Sequence, residues 1–203
     1  MLYKGAASST DFKETDSMRG YFAIGAEGLS KPMNFGNLVR SAHAFGASFF
    51  FTINAEKPFH KAKSDTSKSH VRLPYYTWSG IDEMQLPRGC QLVGIELTDD
   101  AIDLPSFGHP MLAAYVLGPE RGSLSPDLLE LCDHVIRIPT AFCVNVATAG
   151  AIVMYDRVRA LGRFAERPVG AGGPQAVLAE HVHGRPVFRG NGFNRPDSAS
   201  SGS

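Results

Sequence analysis

The stretch Ile138-Pro139-Thr140-Ala141-Phe142-Cys143-Val144-Asn145-Val146-Ala147-Thr148-Ala149-Gly150-Ala151 passes from a strand to a helix through one short loop. His134 to Ile138 reads as a buried strand, and Pro139 stops it. Asn145 is a good helix-capping residue. Around and beyond it, Val144, Ala147, Ala151, Met154, Val158 and Leu161 recur at helical spacing. The start of this helix is rich in small residues, which lets another backbone come close, within the fold or across a subunit interface. Taken singly, Asn145 is equally a simple helix cap.

Working back from this stretch, strand-like and helix-like segments alternate. Tyr21 to Ala26 is a short apolar strand followed by turn residues. A helix is expected from about Asn34 as its N-cap, with Phe35, Leu38, Val39, Ala42 and Phe45 on one face, Arg40 off that face, and a stop at Gly46. Residues 47–54, ASFFFTIN, form a continuous apolar run of the kind found in strands covered on both faces. Further strands are expected at Gln91 to Leu97 and Ala113 to Leu117. Ser125-Pro126 starts a short helix over residues 127–132. This rhythm predicts an α/β fold with a largely parallel sheet flanked by helices.

The 203 residues, 43% of them hydrophobic, are enough for one sizeable core. No run approaches the roughly 20 apolar residues of a membrane span, and the first residues lack the apolar centre of a secretory signal. A cytoplasmic protein is expected. Cys90, Cys132 and Cys143 are widely spaced in apolar strings, which argues against disulfides and against zinc and predicts buried thiols. No metal site is expected. Residues 1–18 read as a mobile arm. After Leu161 the chain turns polar and rich in Gly, Pro and Arg, with one short helix conceivable over QAVLAEHV.

Basic and acidic residues balance at 20 each, so overall charge does not announce a polyanion partner. Their distribution says more. Lys57, Lys61, Lys63, Lys68 and Arg72 have only Asp65 among them, and a second basic series runs from Arg157 through Arg159, Arg163, Arg167, Arg185 and Arg189 to Arg195. Either series is equally a solvated surface.

Two further motifs carry candidate chemistry. Asn34-Phe35-Gly36-Asn37-Leu38-Val39-Arg40 places an amide and a guanidinium on one helix, where both could reach one cleft. Alone, it is also an ordinary capped helix with an exposed arginine. Leu117-Gly118-Pro119-Glu120-Arg121-Gly122 sets a carboxylate in a glycine-flanked turn directly after a strand. Ligands of open α/β sheets bind beyond such strand ends, although Gly-Pro-Glu is equally a plain turn.

The ordered combination N-x-G-x-x-x-R, G-x-E-x-x-G and I-P followed by N-V-x-x-A resembles the SpoU-type, or SPOUT, RNA methyltransferases from about Tyr21 to Leu161. The resemblance implies a domain over residues 19–163 with a C-terminal trefoil knot, followed by a polar extension over 164–203. It implies S-adenosylmethionine as methyl donor, a homodimer with active sites at the interface, and transfer to a ribose 2′-hydroxyl of RNA. Transfer RNA is favoured, because no separate RNA-binding domain precedes Tyr21. Carried over by position, Arg40, Glu120, Asn145 and Asn34 match the catalytic positions. Leu97, Thr98, Gly118, Ile138, Cys143, Val144 and Val146 match the donor pocket. Lys57, Lys61, Lys63, Lys68 and Arg72 are the candidate RNA contacts. The family's third motif commonly reads Ser-Leu-Asn-Val-Ser, whereas this chain has Cys143-Val144-Asn145-Val146-Ala147 and lacks both hydroxyls. Methylation of ribosomal RNA or of a base nitrogen, and a non-catalytic RNA-binding assembly factor, are the alternative functions.

Overall fold

The structure, a computed structural model, describes residues 20–55, 73–162 and 164–173. The expected N-terminal arm, the cations Lys57 to Arg72 and the QAVLAEHV segment lie outside the described residues. The described residues up to 162 belong to one unit and 164–173 to a second. The described part of the second unit, 164–173, contains no helix or strand.

Within the first unit the described strands are β1 (Tyr21–Glu27), β2 (Phe49–Ile53), β3 (Tyr75–Trp78), β4 (Gln91–Ile95), β5 (Ile102–Asp103), β6 (Leu112–Leu117) and β7 (His134–Arg137). The helices are α1 (Pro32–Ala44), α2 (Pro126–Leu131) and α3 (Val146–Leu161). The strands join in the order β3-β2-β1-β6-β4-β7-β5, and every pairing is parallel. All carboxyl ends therefore lie along one edge of the sheet.

Successive strand residues point to opposite faces, and the core divides accordingly. Phe22, Ile24, Phe50, Tyr115, Leu117 and Ile136 pack with Leu38 and Val39 of α1 and Val153 and Met154 of α3. Ala23, Phe51, Ile53, Ala114 and Val116 pack with Leu124 and with Leu128 of α2. Burial on both faces is why these strands read as unbroken apolar runs. The small-residue start of α3 has an internal use, since a Cβ on Gly150 would collide with Leu38 Cδ1 of α1.

Several details depart from the sequence expectations. α1 begins two residues before Asn34, because Pro32 is preset for a first helical position and Lys31 takes the cap place. Asn34 is thus a buried first-turn residue and not the N-cap. β3 and β5 escaped notice: β3 keeps exposed residues on an edge, and β5 is only two residues long. Cys143 is exposed, and Cys90 and Cys132 are only partly buried.

Arg157 does not belong to a basic surface. It is 1% exposed, donating through Nη1 to Pro110 O at 2.5 Å and Tyr115 Oη at 3.1 Å, and through Nη2 to Met111 O at 2.9 Å and Tyr21 O at 3.3 Å. Its guanidinium also lies 5.3 Å from the Phe22 ring centroid. His109 joins this cluster through Tyr115 Oη at 2.6 Å and Asp156 Oδ2 at 3.1 Å. The cluster ties α3 to the amino ends of β1 and β6.

Candidate active site

At the carboxyl edge of the sheet lies a cavity of about 320 Å3. Its walls include Ile95 to Leu97 after β4, Leu117 to Glu120 after β6, Ile138 after β7, and Cys143 to Val146 leading into α3. Lys31 and Asn34 at the start of α1 complete it. The strand ends supply apolar surface, while the helix starts and turns supply polar groups.

The α1 cap residue, Lys31, makes no side-chain cap bond, so the exposed N–H groups there need another acceptor. Glu120 provides one from a distant loop. Its Oε2 accepts from Ser30 N at 3.1 Å and Ser30 Oγ at 3.0 Å. Its Oε1 accepts from Lys31 N at 2.9 Å and Asn34 Nδ2 at 3.0 Å. A carboxylate beside a helix N-terminus is also favoured by the helix dipole. Burial raises the Glu120 pKa, but the bonds from Asn34, Lys31 and Ser30 outweigh it, and the carboxyl is held below its ordinary value.

Asn145 caps α3, its Oδ1 accepting from Ala147 N at 2.9 Å and Thr148 N at 3.4 Å. That fixes the amide's orientation and turns Nδ2 toward Asn34 Oδ1, 3.0 Å away. The donor sequence runs from Asn145 through Asn34 to Glu120. Two helix starts and the loop after β6 are thereby joined.

Two more carboxylates hold the same loop, and the sequence reading missed both. Glu96 Oε2 accepts from Leu124 N at 2.8 Å while its Oε1 accepts from Leu97 N at 2.8 Å. Glu27, 8% exposed, accepts from Ser125 N at 2.8 Å and Ser125 Oγ at 2.6 Å. The available signal was a carboxylate at the end of each apolar run, YFAIGAE and QLVGIE. Gly118 makes the turn possible, since an added Cβ would stand 3.0 Å from Leu124 N and 3.3 Å from Glu96 Oε2.

Of the residues singled out from sequence, Asn34, Glu120 and Asn145 line the cavity together with Leu97, Gly118, Ile138, Cys143, Val144 and Val146. Thr98 lies outside the lining, with its hydroxyl buried and unbonded and its carbonyl accepting from Arg137 Nη1 at 3.3 Å. Arg40 also lies outside, on the exposed side of α1. Six residues separate it from Asn34, which carries it about 9 Å along the helix and turns it away from Asn34's direction. One chain therefore does not bring the guanidinium to the amides. Among the described residues no group of His, Cys, Asp or Glu could hold a metal ion, and no helix is long and apolar enough to cross a membrane.

The cavity stands at the carboxyl edge of a parallel sheet beside two helix N-termini, where ligands of open α/β sheets bind. A family model described as the SpoU rRNA Methylase family matches residues 21–155, and the chain belongs to that family. The tRNA (guanosine(18)-2′-O)-methyltransferase of Aquifex aeolicus is 26% identical over 147 residues, covering 66% of this chain and 67% of that protein. The mouse tRNA (guanosine(18)-2′-O)-methyltransferase TARBP1 is 23% identical over 145 residues, 64% of this chain but only 9% of the mouse protein. The crystal structure of the SpoU methyltransferase AviRb from Streptomyces viridochromogenes matches with a TM-score of 0.64 at 23% identity, covering 73% of this chain and 63% of that one.

Proposed function

We propose that this protein transfers a methyl group from S-adenosylmethionine to a ribose 2′-hydroxyl of RNA, with transfer RNA as the favoured substrate. The observation that carries the reading is the bonded series Asn145–Asn34–Glu120, in which one residue from each of the three sequence motifs meets at a single cavity. Family membership and the likeness to the Aquifex and mouse tRNA (guanosine(18)-2′-O)-methyltransferases support the choice of ribose and tRNA.

The cavity fits the donor by size and by its mixed walls: Ile95, Leu117, Ile138, Val144 and Val146 offer apolar surface to a purine, and backbone at Gly118 can come close. When bound, S-adenosylmethionine supplies a methyl group on a positively charged, already reactive sulfur. The protein's task is alignment and exclusion of water. Glu120 accepts four hydrogen bonds and has a lowered pKa, which makes it a poor base. Glu120, Asn34 and Asn145 are positioning residues that hold the cavity in register. Of the polar residues in the three motifs, Arg40 is assigned to the acceptor: its planar cationic fork orients the hydroxyl or its neighbouring phosphate and stabilises the developing alkoxide.

Because Arg40 stands outside its own chain's cavity, the reading includes a homodimer, with Arg40 of the partner subunit facing the cavity. Met33 on α1 and Tyr155 on α3, 68% and 56% exposed, offer apolar surface for that contact. The reading also includes a trefoil knot, one of the rare exceptions to unknotted chains. It is supported by α3, which follows β7 yet packs along α1 across the sheet from α2. The reading puts the reaction in the cytoplasm, supported by three free cysteines, which suit a reducing compartment.

The test is incubation of the purified chain with labelled donor and tRNA, followed by mapping of 2′-O-methyl positions. A methylated ribose is expected. Label on a base, or donor and RNA bound without transfer, overturns the reading in favour of a base methyltransferase or a binding factor.

A further inference from the structure

Among the described residues two carboxylates line the cavity, Glu96 and Glu120, and they are not equally occupied. Glu120 accepts from Ser30 N, Ser30 Oγ, Lys31 N and Asn34 Nδ2, which fills the roughly four acceptor places of a carboxylate. Glu96 accepts only from Leu97 N, through Oε1, and from Leu124 N, through Oε2, each at 2.8 Å. An acceptor place is therefore left on each of its oxygens. A ligand that presents two adjacent hydrogen-bond donors would fill both.

Backbone pairing shows what stands beside those places. Glu96 N donates to Ile136 O at 3.0 Å, so the end of β4 stays bonded to β7 up to this residue. Ile95, the residue before, pairs with Leu117 at the end of β6. Both belong, with Ile138, to the apolar wall available to the donor's purine. Gly118 follows Leu117 and puts no side chain over Glu96, since a Cβ there would stand 3.3 Å from Oε2.

A purine on that wall carries its ribose directly attached, and the ribose presents two adjacent hydroxyls. The amino-acid tail lies beyond the sulfur, further from the purine. An acidic side chain that bonds a ribose hydroxyl near the carboxyl ends of parallel strands is also an established solution in dinucleotide-binding sheets.

We infer that Glu96 binds the ribose diol of S-adenosylmethionine, an inference that rests on the function proposed above. It recognises the donor's adenosine and does not act on the methyl group. Its other two acceptor places hold Leu97 N and Leu124 N, so the same carboxylate links the donor to the loop that carries Glu120.

The full chain, without RNA, is titrated by calorimetry with S-adenosylmethionine and with its 2′-deoxy and 3′-deoxy forms. Each deoxy form should bind about ten-fold or more weakly, because it leaves one place on a charged acceptor unfilled. Glu96→Ala should lower affinity for S-adenosylmethionine and bind all three ligands within about two-fold of one another. Glu96→Asp, which keeps the charge but withdraws it by one carbon, should also narrow the difference, and it decides the matter if Glu96→Ala does not fold. A carboxylate that merely held the loop would weaken all three ligands by one factor and preserve their ratios, and that result overturns the inference. So does equal binding of the three ligands by the natural protein. Failure of the natural protein to bind S-adenosylmethionine removes the proposed donor and this inference with it. Loss of the ratios in the Glu96 variants, combined with no methyl transfer to any RNA, removes the proposed reaction while the diol assignment stands.

Discussion

Asn145 Nδ2 donates to Asn34 Oδ1 at 3.0 Å, and this single bond joins the N-terminal turns of two helices 111 residues apart in the chain. Its direction is set at both ends. Asn145 Oδ1 is taken by backbone N–H groups of α3, and Asn34 Nδ2 is taken by the Glu120 carboxylate. An ionised Glu120 therefore fixes which way both amides face.

Asn34→Asp tests that polarity. The new carboxylate would stand where Nδ2 now donates, about 3 Å from Glu120, and two like charges at that distance disfavour each other's ionisation. Thermal unfolding should show a loss of about 2 kcal/mol at neutral pH, and donor affinity should fall with it. Both should recover in part as the pH is lowered, because one shared proton restores a hydrogen bond. A variant as stable as the natural protein at pH 7 would mean that the bond is not made.

The sheet and its helices were legible because burial on both faces leaves unbroken apolar runs and because Pro126 and Asn145 mark helix starts. β3 and β5 were not, since an edge strand and a two-residue strand carry no such pattern. Asn34, Glu120 and Asn145 could be chosen only from their order along the chain. Nothing local distinguishes them from a cap or a turn, and their bonds span 86 and 111 residues. Arg40 shows the limit: motif spacing placed it beside Asn34 in sequence, while helix geometry carries it out of the cavity. Arg157 looked like one cation among several and proved buried, because its partners are carbonyls that no side-chain pattern announces.

Acid should act on stability through two groups, one beginning to take effect below pH 6.5 and the other below pH 4.5. Burial lowers the His109 pKa from 6.5 despite the partly offsetting bond to Asp156. The unfolded chain thus takes up this proton more readily, and stability falls as the pH drops below 6.5. Glu120, held below 4.5, contributes stability that is complete above 4.5 and is lost as the pH falls from there through its lower folded value. Glu120→Gln should shrink the loss of stability below pH 4.5 and leave the loss that begins below pH 6.5. Chemical unfolding measured from pH 8 to pH 3 follows both, and an unchanged loss below pH 4.5 in Glu120→Gln would exclude a contribution from Glu120.

Arg157→Lys should be strongly destabilising although it keeps the charge. A single ammonium cannot reach Pro110 O, Met111 O, Tyr21 O and Tyr115 Oη as the planar fork does, and the carbonyls left behind stay buried. A loss of about 2 kcal/mol or more in urea unfolding is expected, since each buried group left without a partner costs about 1–3 kcal/mol. A loss below about 0.5 kcal/mol, ordinary for a surface change, would show that the fork is dispensable.

Lys61→Glu with Lys63→Glu should weaken RNA binding and flatten its dependence on salt. Each phosphate contact releases a counterion, so removing contacts lowers the slope of log affinity against log salt by roughly 0.7 to 0.9 per contact. Binding measured at several salt concentrations gives that slope. Equal slopes for the double variant and the natural protein would remove this stretch from the RNA surface.

Arg40→Lys separates chemistry from donor binding. Arg40 lines no part of its own chain's cavity and, from the partner subunit, is assigned to the acceptor and not to the donor, so S-adenosylmethionine affinity should stay within about two-fold of the natural value, below roughly 0.4 kcal/mol. Turnover should fall by ten-fold or more, about 1.4 kcal/mol of barrier, because lysine keeps the charge but not the paired N–H groups that hold an oxygen and its neighbouring phosphate together. The proposed dimer adds a second readout. A chain carrying Arg40→Lys and a chain carrying Asn145→Ala are each impaired alone, and their mixture should regain up to about a quarter of normal turnover if Arg40 of the partner subunit serves each cavity. Recovery is expected only after subunits exchange, and a mixture no more active than its parents would return Arg40 to its own chain or remove it from the reaction.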